Sequence, residues 1–188
     1  MRYVSTAEAG ELLRKGGVGL VPTETVVGLV AGQTGLSRLF EIKGRDPGKP
    51  IALLCGSVDE ALALARRAPP LARSLAGRFW PGPLTLVLDG PHDETVGLRV
   101  PDHPTVQEVL AAHGTPIYAT SANLSGELAP AAPEHVDLRV TDATDFAVPG
   151  APGSGEASAV VDLSLGRVRL LRPGAGLTED VLLRLTQK

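Results

Sequence analysis

The stretch Val18-Gly19-Leu20-Val21-Pro22-Thr23-Glu24-Thr25 joins a continuously apolar run to a group of polar side chains. An unbroken apolar run is typical of a strand that is covered on both faces, and Pro22 marks its end. Similar β-rich runs recur along the chain, and each is predicted to form a strand. These runs cover residues 51–54, 84–88, 96–100, 117–120, 159–163 and 168–171.

Helix signals lie between the predicted strands. Ser5, Ser57 and Thr105 each begin a capping-box pattern, which predicts a helix start at each site. Another helix is predicted over residues 36–42, and Thr178 is expected to cap a final helix. This alternation indicates an α/β fold with a twisted sheet of mixed parallel and antiparallel strands, flanked by helices.

Length and composition limit the possible classes of protein. The 188 residues fit one domain that spans residues 1–188. The net charge of −3 shows no basic excess, so no strong direct nucleic-acid binding is expected. No apolar run reaches signal length near Met1 or the ~18 residues of a membrane span, so we expect a cytoplasmic protein without membrane contact. Cys55, the single cysteine, is expected to be a buried small hydrophobe.

Residues 127–155 have a different composition from the rest of the chain. They contain Pro130, Pro133, Pro149 and Pro152 together with several glycines and serines. This composition predicts a long mobile loop crossed by one short strand. A loop of this kind beside a ligand site is a candidate lid.

Three polar clusters follow apolar segments, and two of them lie in the first quarter of the chain. Thr23 and Thr25 follow Pro22, at a strand end where open α/β sheets bind ligands, although both hydroxyls could instead close a turn on their own backbone. Lys43 and Arg45 follow the predicted second helix. They could bind a phosphate chain, or they could stabilise the end of that helix through its dipole.

The third cluster is Ser121-Ala122-Asn123-Leu124-Ser125-Gly126. Ser121 and Asn123 suit hydrogen bonding to adenine, ribose or phosphate, but they could also close an Asx or Ser turn. No glycine-rich phosphate loop of the form GxxxxGK[ST] or GxGxxG is present in the sequence, and no His or Cys spacing indicates zinc. His103 is expected to be a rim residue that packs against Pro104.

In this combination and order, the clusters resemble the YrdC family, the threonylcarbamoyl-AMP synthases. The resemblance extends from Pro22 to Gly174. Further matching segments are Trp80-Pro81-Gly82-Pro83-Leu84-Thr85, Leu98-Arg99-Val100-Pro101-Asp102-His103-Pro104, Ser158-Ala159-Val160-Val161-Asp162 and Leu171-Arg172-Pro173-Gly174. The resemblance implies a single YrdC-like domain with a large concave ligand cavity.

The resemblance also implies a nucleotidyltransferase activity. Such synthases join L-threonine, bicarbonate and ATP to give threonylcarbamoyl-AMP and pyrophosphate, for N6-threonylcarbamoyladenosine formation in tRNA. The product is expected to pass to a threonylcarbamoyl transferase that acts on tRNA. Mg²⁺ is expected to accompany the ATP, with no protein ligand named for it and no residue acting as a covalent nucleophile.

The same resemblance implies roles for individual residues. Thr23, Arg99, Ala119 and Ser158 are expected to bind threonine. The residues expected along ATP are Lys43, Arg45, Thr95, Ser121, Asn123 and Arg172.

Two positions depart from the family pattern, and two other classes of protein stay open. Val27 stands where the family usually has Tyr, and Ala159 stands where it usually has a hydroxyl, so both changes are expected to remove polar groups near the pocket.

One alternative to the synthase interpretation is an RNA-binding module in tRNA or ribosome maturation. The other is a carbamoyl-transfer relative, whose accessory domains and zinc-finger cysteines do not occur in this sequence.

Overall fold

The computed structural model describes residues 1–44, 51–92, 94–174 and 176–186. The helices of this part of the chain are α1 (Thr6–Arg14), α2 (Leu36–Lys43), α3 (Val58–Ala63), α4 (Pro70–Phe79), α5 (Pro104–His113), α6 (Leu138–Thr141) and α7 (Glu179–Thr186). Its strands are β1 (Val18–Val21), β2 (Gly28–Ala31), β3 (Ala52–Leu54), β4 (Leu84–Asp89), β5 (Thr95–Arg99), β6 (Ile117–Ser121), β7 (Phe146–Ala147), β8 (Ala159–Asp162) and β9 (Arg169–Arg172).

The strands form one mixed sheet in the order β7-β1-β2-β6-β3-β5-β4-β8-β9. The pairs β1/β7, β3/β5 and β4/β8 are parallel, while β1/β2, β2/β6, β3/β6, β4/β5 and β8/β9 are antiparallel. The predicted α/β fold with a mixed sheet flanked by helices is therefore confirmed. Each predicted strand is present within one or two residues of its expected bounds.

Helices cover the sheet on both faces. On one face, α1 and α5 pack against the sheet through Leu13 and Val109. The two helices approach closely at Gly10, where a Cβ atom would lie 2.7 Å from the backbone of Ala112. On the other face, α3, α4 and α7 cover the strands around Leu86. Among the described residues, no helix has the length and apolar character needed to cross a membrane.

The helix starts mostly agree with the sequence. The Ser5 and Ser57 hydroxyls accept hydrogen bonds from the backbone N–H groups of Glu8 and Glu60, at 3.2 and 3.1 Å, so both predicted caps are confirmed. The predicted cap at Thr105 is wrong. Helix α5 begins at Pro104, and its cap is His103, two residues before the predicted cap; His103 Nδ1 accepts from the Thr105 N–H at 3.3 Å. A proline at the first helical position moves the cap to the residue before it.

Residues 127–155 hold more regular structure than their composition predicts. The expected short strand is β7, but a 3₁₀ turn at Pro133–His135 and helix α6 precede it. Val136, which follows the 3₁₀ turn, and Val140 of α6 are both buried in one hydrophobic cluster. The prediction of a loop with only one strand is therefore wrong, whereas its mobility stays a prediction.

Candidate functional site

One face of the sheet holds a cavity of about 470 Å³. Because alternate residues of a strand share a face, the strands contribute mainly every second side chain to it. These side chains are Ala52 and Leu54 of β3, Thr85 and Val87 of β4, Gly97 and Arg99 of β5, and Ala119 and Ser121 of β6. Small residues form much of this floor, which leaves space above the sheet for a ligand.

Loops and strand ends supply the polar rim of the cavity. Of the predicted site residues, the structure brings eight together around this space, and they come from positions far apart in the sequence. These residues are Thr23, Lys43, Arg99, Ala119, Ser121, Asn123, Ser158 and Arg172. Ser125 and Gly126 lie on the rim as well. Arg45 lies outside the described residues.

Arg99 is the buried cation at the centre of the site, with 7% of its surface exposed. Its Nη2 donates to Glu24 Oε1 at 2.7 Å and to Thr25 Oγ1 at 2.9 Å, and its Nε donates to the Gly82 carbonyl at 3.3 Å. No described residue accepts a hydrogen bond from Arg99 Nη1. The guanidinium is therefore fixed on one side, and its other side can bind an anion in the cavity.

Glu24 neutralises the charge of Arg99 through one carboxylate oxygen, Oε1, and its other oxygen behaves differently. The side chains of the pair are 9% and 18% exposed, so the ion pair is largely removed from solvent. Glu24 Oε2 is buried and has no hydrogen-bond partner among the described residues. A buried carboxylate oxygen without a donor is costly, so the Glu24–Arg99 pair holds its position at some expense in stability.

The turn that contains Thr23 is closed by its own side chains. Thr23 Oγ1 donates to the Val26 carbonyl at 2.7 Å and accepts from the Thr25 N–H at 3.3 Å. The two threonine hydroxyls lie 2.9 Å apart. The backbone alternative is therefore observed for the Thr23 hydroxyl, whereas the Thr25 hydroxyl contacts side chains and links the turn to Arg99.

Lys43 bonds to protein oxygens rather than extending freely into the cavity. It is the last residue of α2, and only 7% of it is exposed. Its ammonium donates to the carbonyl of Ser121 at 2.8 Å, to the carbonyl of Asn123, and to Asn123 Oδ1 at 3.2 Å. Lys43 therefore places a positive charge at the rim and orders the chain directly after β6.

Both polar atoms of the Asn123 side-chain amide form hydrogen bonds. Its oxygen accepts from Lys43, and its Nδ2 donates to the carbonyls of Leu124 and Glu127, at 3.0 and 2.7 Å. Its side chain thus stabilises a local bend, as the turn alternative predicted. Ser121 ends β6 opposite Gly28, and this placement puts the bend at the edge of the cavity.

Arg172, Ser158 and Thr85 form a chain of hydrogen bonds on the side of the cavity opposite Lys43 and Asn123. Arg172 donates from Nε to the Ser158 carbonyl at 2.9 Å and from Nη2 to Ser158 Oγ at 3.1 Å. Ser158 Oγ lies 3.1 Å from Thr85 Oγ1. Thr85 is a site residue to which the sequence analysis gave no role. The available signal was a lone hydroxyl in the apolar strand Leu84–Asp89.

Three other positions discussed from the sequence do not line the cavity. Thr95 begins β5 opposite Asp89 and does not line the cavity, so its contact with ATP stays a prediction. Val27 and Ala159 are fully buried in hydrophobic clusters. Neither side chain lines the cavity, because Val26 and Val160, their neighbours in sequence, face it instead, and the effect of Val27 and Ala159 on the pocket stays a prediction.

His103 is not the rim residue that the sequence predicted. It is 6% exposed, and its Nε2 lies 3.2 Å from the Ala151 carbonyl. Because Nδ1 accepts from a backbone N–H, Nε2 carries the proton and donates to this carbonyl. His103 therefore ties α5 to the segment that leads to Ser158.

Cys55 can be excluded as a nucleophile of this site. It is buried, as predicted, and is not part of the cavity lining. Burial raises the pKa of its thiol to about 12, with a smaller contribution from the charge of Glu60. The thiol therefore stays protonated and unreactive at neutral pH.

Comparison with known proteins gives consistent matches over most of the chain. Residues 11–174 match the Sua5/YciO/YrdC family, which carries the description "Telomere recombination". The threonylcarbamoyl-AMP synthase of Bacillus subtilis is 37% identical over 93% of this chain and 54% of its own length. That of Pyrococcus abyssi is 35% identical over 92% of this chain and 55% of its own length. The chain thus spans about half the length of these two relatives.

A solved structure agrees with the sequence relatives. The crystal structure of P. abyssi Sua5 complexed with L-threonine superposes with a TM-score of 0.87 and 34% sequence identity. The match covers 96% of this chain and 56% of the other. On the extent of the family match and the identity to its members, this chain belongs to the Sua5/YciO/YrdC family.

Proposed function

We propose that this protein is an L-threonylcarbamoyladenylate synthase, which joins L-threonine, bicarbonate and ATP to give threonylcarbamoyl-AMP and pyrophosphate. The observation that carries this proposal is the presence of two separate arginines in one cavity, Arg99 with its Nη1 available and Arg172 beside the Ser158 hydroxyl. Two separate cationic positions suit a product with a carboxylate at one end and a phosphate at the other. The names of the relatives support the same activity.

The amino acid would bind at Arg99. A carboxylate on Nη1 would complete the hydrogen bonding of a guanidinium whose other side is held by Glu24 and Thr25. Ser158 and Thr23 lie on the cavity wall, and Ala119 lies on its floor. The relative solved with L-threonine supports threonine as the amino acid.

The nucleotide would contact the rim at Lys43, Ser121 and Asn123 and also Arg172 on the opposite side of the cavity, with Arg45 and Thr95 as further proposed contacts. Because the Lys43 ammonium already bonds to protein oxygens, we assign it two tasks: ordering this rim and supplying positive charge to the phosphates. Mg²⁺ would accompany the triphosphate, since this ion is commonly bound through substrate phosphates.

The cavity suits catalysis by positioning. A neutral amine and bicarbonate give a carbamate anion and one water, and a carbamate oxygen then attacks the α-phosphorus and displaces pyrophosphate. Neither step needs a covalent protein intermediate. Holding the reacting groups together can contribute about 7–11 kcal/mol, and nearby cations stabilise the charge that develops on the phosphates.

The later fate of the product is also part of the proposal. A carbamoyl adenylate is a reactive mixed anhydride, so direct transfer to a threonylcarbamoyl transferase that acts on tRNA would limit its hydrolysis. We place the protein in the cytoplasm, where tRNA is modified. The net charge of −3 argues against strong binding of tRNA itself.

Incubation with ATP, Mg²⁺, labelled bicarbonate and one amino acid at a time tests this function. Threonine should give pyrophosphate and a labelled adenylate. Valine should be rejected strongly, because it lacks the hydroxyl that the site would bind, and serine should be disfavoured by roughly 1–3 kcal/mol. No labelled adenylate with threonine, or equal yields with valine, would overturn the proposal. Tight filter binding of tRNA without adenylate formation would favour the RNA-binding alternative.

A further inference from the structure

We propose that the Thr85 hydroxyl, together with Ser158, forms the subsite for bicarbonate and for the carbamate made from it. The inference rests on the proposed function and deepens it by naming the place of the third substrate. Both side chains line the cavity, and they are only 7% and 4% exposed. Their oxygens lie 3.1 Å apart, so one small anion could contact both.

The order of residues across the sheet supports this placement. Leu86 pairs with Leu98, so the same antiparallel register puts Thr85 beside Arg99. On the other side, Thr85 pairs with Val160, which in turn pairs with Arg172. Since neighbouring strands lie about 4.8 Å apart, Thr85 sits between the two arginines, one strand from Arg99 and two from Arg172.

The chemistry of the product follows the same order. In a threonylcarbamoyl adenylate, the carbamoyl group connects the amino acid to the phosphate. If the carboxylate binds at Arg99 and the phosphate near Arg172, the carbamoyl carbon falls in the space between them. Bicarbonate, which supplies that carbon, would then bind beside Thr85.

The hydrogen bonds give Thr85 a donor for this anion. Arg172 Nη2 donates to Ser158 Oγ, so the Ser158 hydroxyl can donate to Thr85 Oγ1. No other described residue bonds to the Thr85 hydroxyl, which leaves its proton for a ligand oxygen. Successive donors strengthen one another in a partly buried site, so the last hydroxyl of this chain is well suited to bind an anion.

The apolar surroundings of Thr85 fit the same role. A Cβ atom added at Gly97 would lie 3.8 Å from the Thr85 methyl, so this methyl lies toward β5. Val87 and Val160 also line the cavity near it. A small subsite with the Thr85 hydroxyl as donor and valine walls would bind a planar anion and keep water from the carbamate.

The test measures KM for each substrate in CO₂-free buffer with added bicarbonate, for wild type, Thr85→Val and Thr85→Ser. Valine matches the shape of threonine and favours a strand, so Thr85→Val should fold. It should raise KM for bicarbonate about tenfold or more, as expected for a lost hydrogen bond to an anion. KM for threonine and for ATP should change by less than about twofold, because Thr85 is assigned to neither.

The serine variant provides the control because it keeps the hydroxyl and loses only the methyl group. Thr85→Ser should stay within about threefold of wild type for bicarbonate. A rise in KM for threonine in place of bicarbonate would assign Thr85 to the amino-acid site and overturn the inference, as would unchanged constants in Thr85→Val. If wild type forms no adenylate at all, the proposed function itself fails, and that outcome is distinct from either of these.

Discussion

Replacing Lys43 by methionine should destabilise the fold as well as the nucleotide site. The change keeps most of the side-chain length but removes an ammonium that donates to the carbonyls of Ser121 and Asn123 and to Asn123 Oδ1. Hydrogen bonds from a charged donor contribute about 1.5–3 kcal/mol each. Water entering from the cavity can satisfy part of what is lost, so we expect a net loss of about 2–3 kcal/mol.

Thermal unfolding followed by circular dichroism measures this loss. For a chain of this size, 1 kcal/mol corresponds to about 2–4 °C, so the melting temperature should fall by about 4–12 °C. Lys15→Met is the control, because the Lys15 side chain is 74% exposed and its ammonium lies 3.9 Å from Glu11. That variant should lose less than about 0.5 kcal/mol. A Lys43→Met protein that melts within 1 °C of wild type would show that Lys43 does not order the rim.

Further predictions concern the ion pair, the cavity floor, the thiol and the proline-rich segment. Glu24→Ala leaves Arg99 buried without its partner and should cost about 3 kcal/mol in urea unfolding; an unchanged midpoint would contradict this. Gly97→Val should fold but abolish threonine-dependent pyrophosphate release, since its Cβ makes ordinary contacts at 3.4 Å while its methyls fill the floor. Because burial raises the pKa of the Cys55 thiol to about 12, this group contributes stability to the fold below pH about 9, and that contribution declines as the pH rises further. For the same reason, Cys55 in the native protein should resist alkylation by iodoacetamide at about pH 8.5. Proteolysis within residues 127–155 should slow when ATP and threonine are added together, and equal rates would mean that this segment does not close over ligands.

The strands were predictable because each is a short apolar run bounded by turn residues, and this pattern depends only on neighbouring residues. Strand β2 was missed because its four residues follow the polar cluster at Thr23 without an intervening turn signal, and all four are buried. Helix α4 was missed for a different reason. Its buried residues are Ala72, Leu75 and Ala76, and small alanines give only a weak apolar period.

The site was predictable as a set of residue types but not as a set of contacts. Sequence patterns identified Lys43 and Asn123 as polar residues at the ends of a helix and a strand. They could not show that the two bond to each other, because that contact joins positions 80 residues apart. The same limit applies to Ser158 and Thr85, which lie 73 residues apart and meet only because β4 pairs with β8.

The buried charges of this site are arranged for a ligand more than for stability. Glu24 and Arg99 form a pair that apolar residues could replace without loss in an ordinary core, and no residue in the described part of the chain donates to one oxygen of Glu24. Glu24, together with Thr25 and Gly82, holds the Arg99 guanidinium in place, and the remaining side of this guanidinium is available to a ligand in the cavity. A cation already fixed in place loses little entropy when an anion binds, and this favours tight and selective binding. The stability given up at Glu24 is therefore consistent with selection for binding an anion at Arg99.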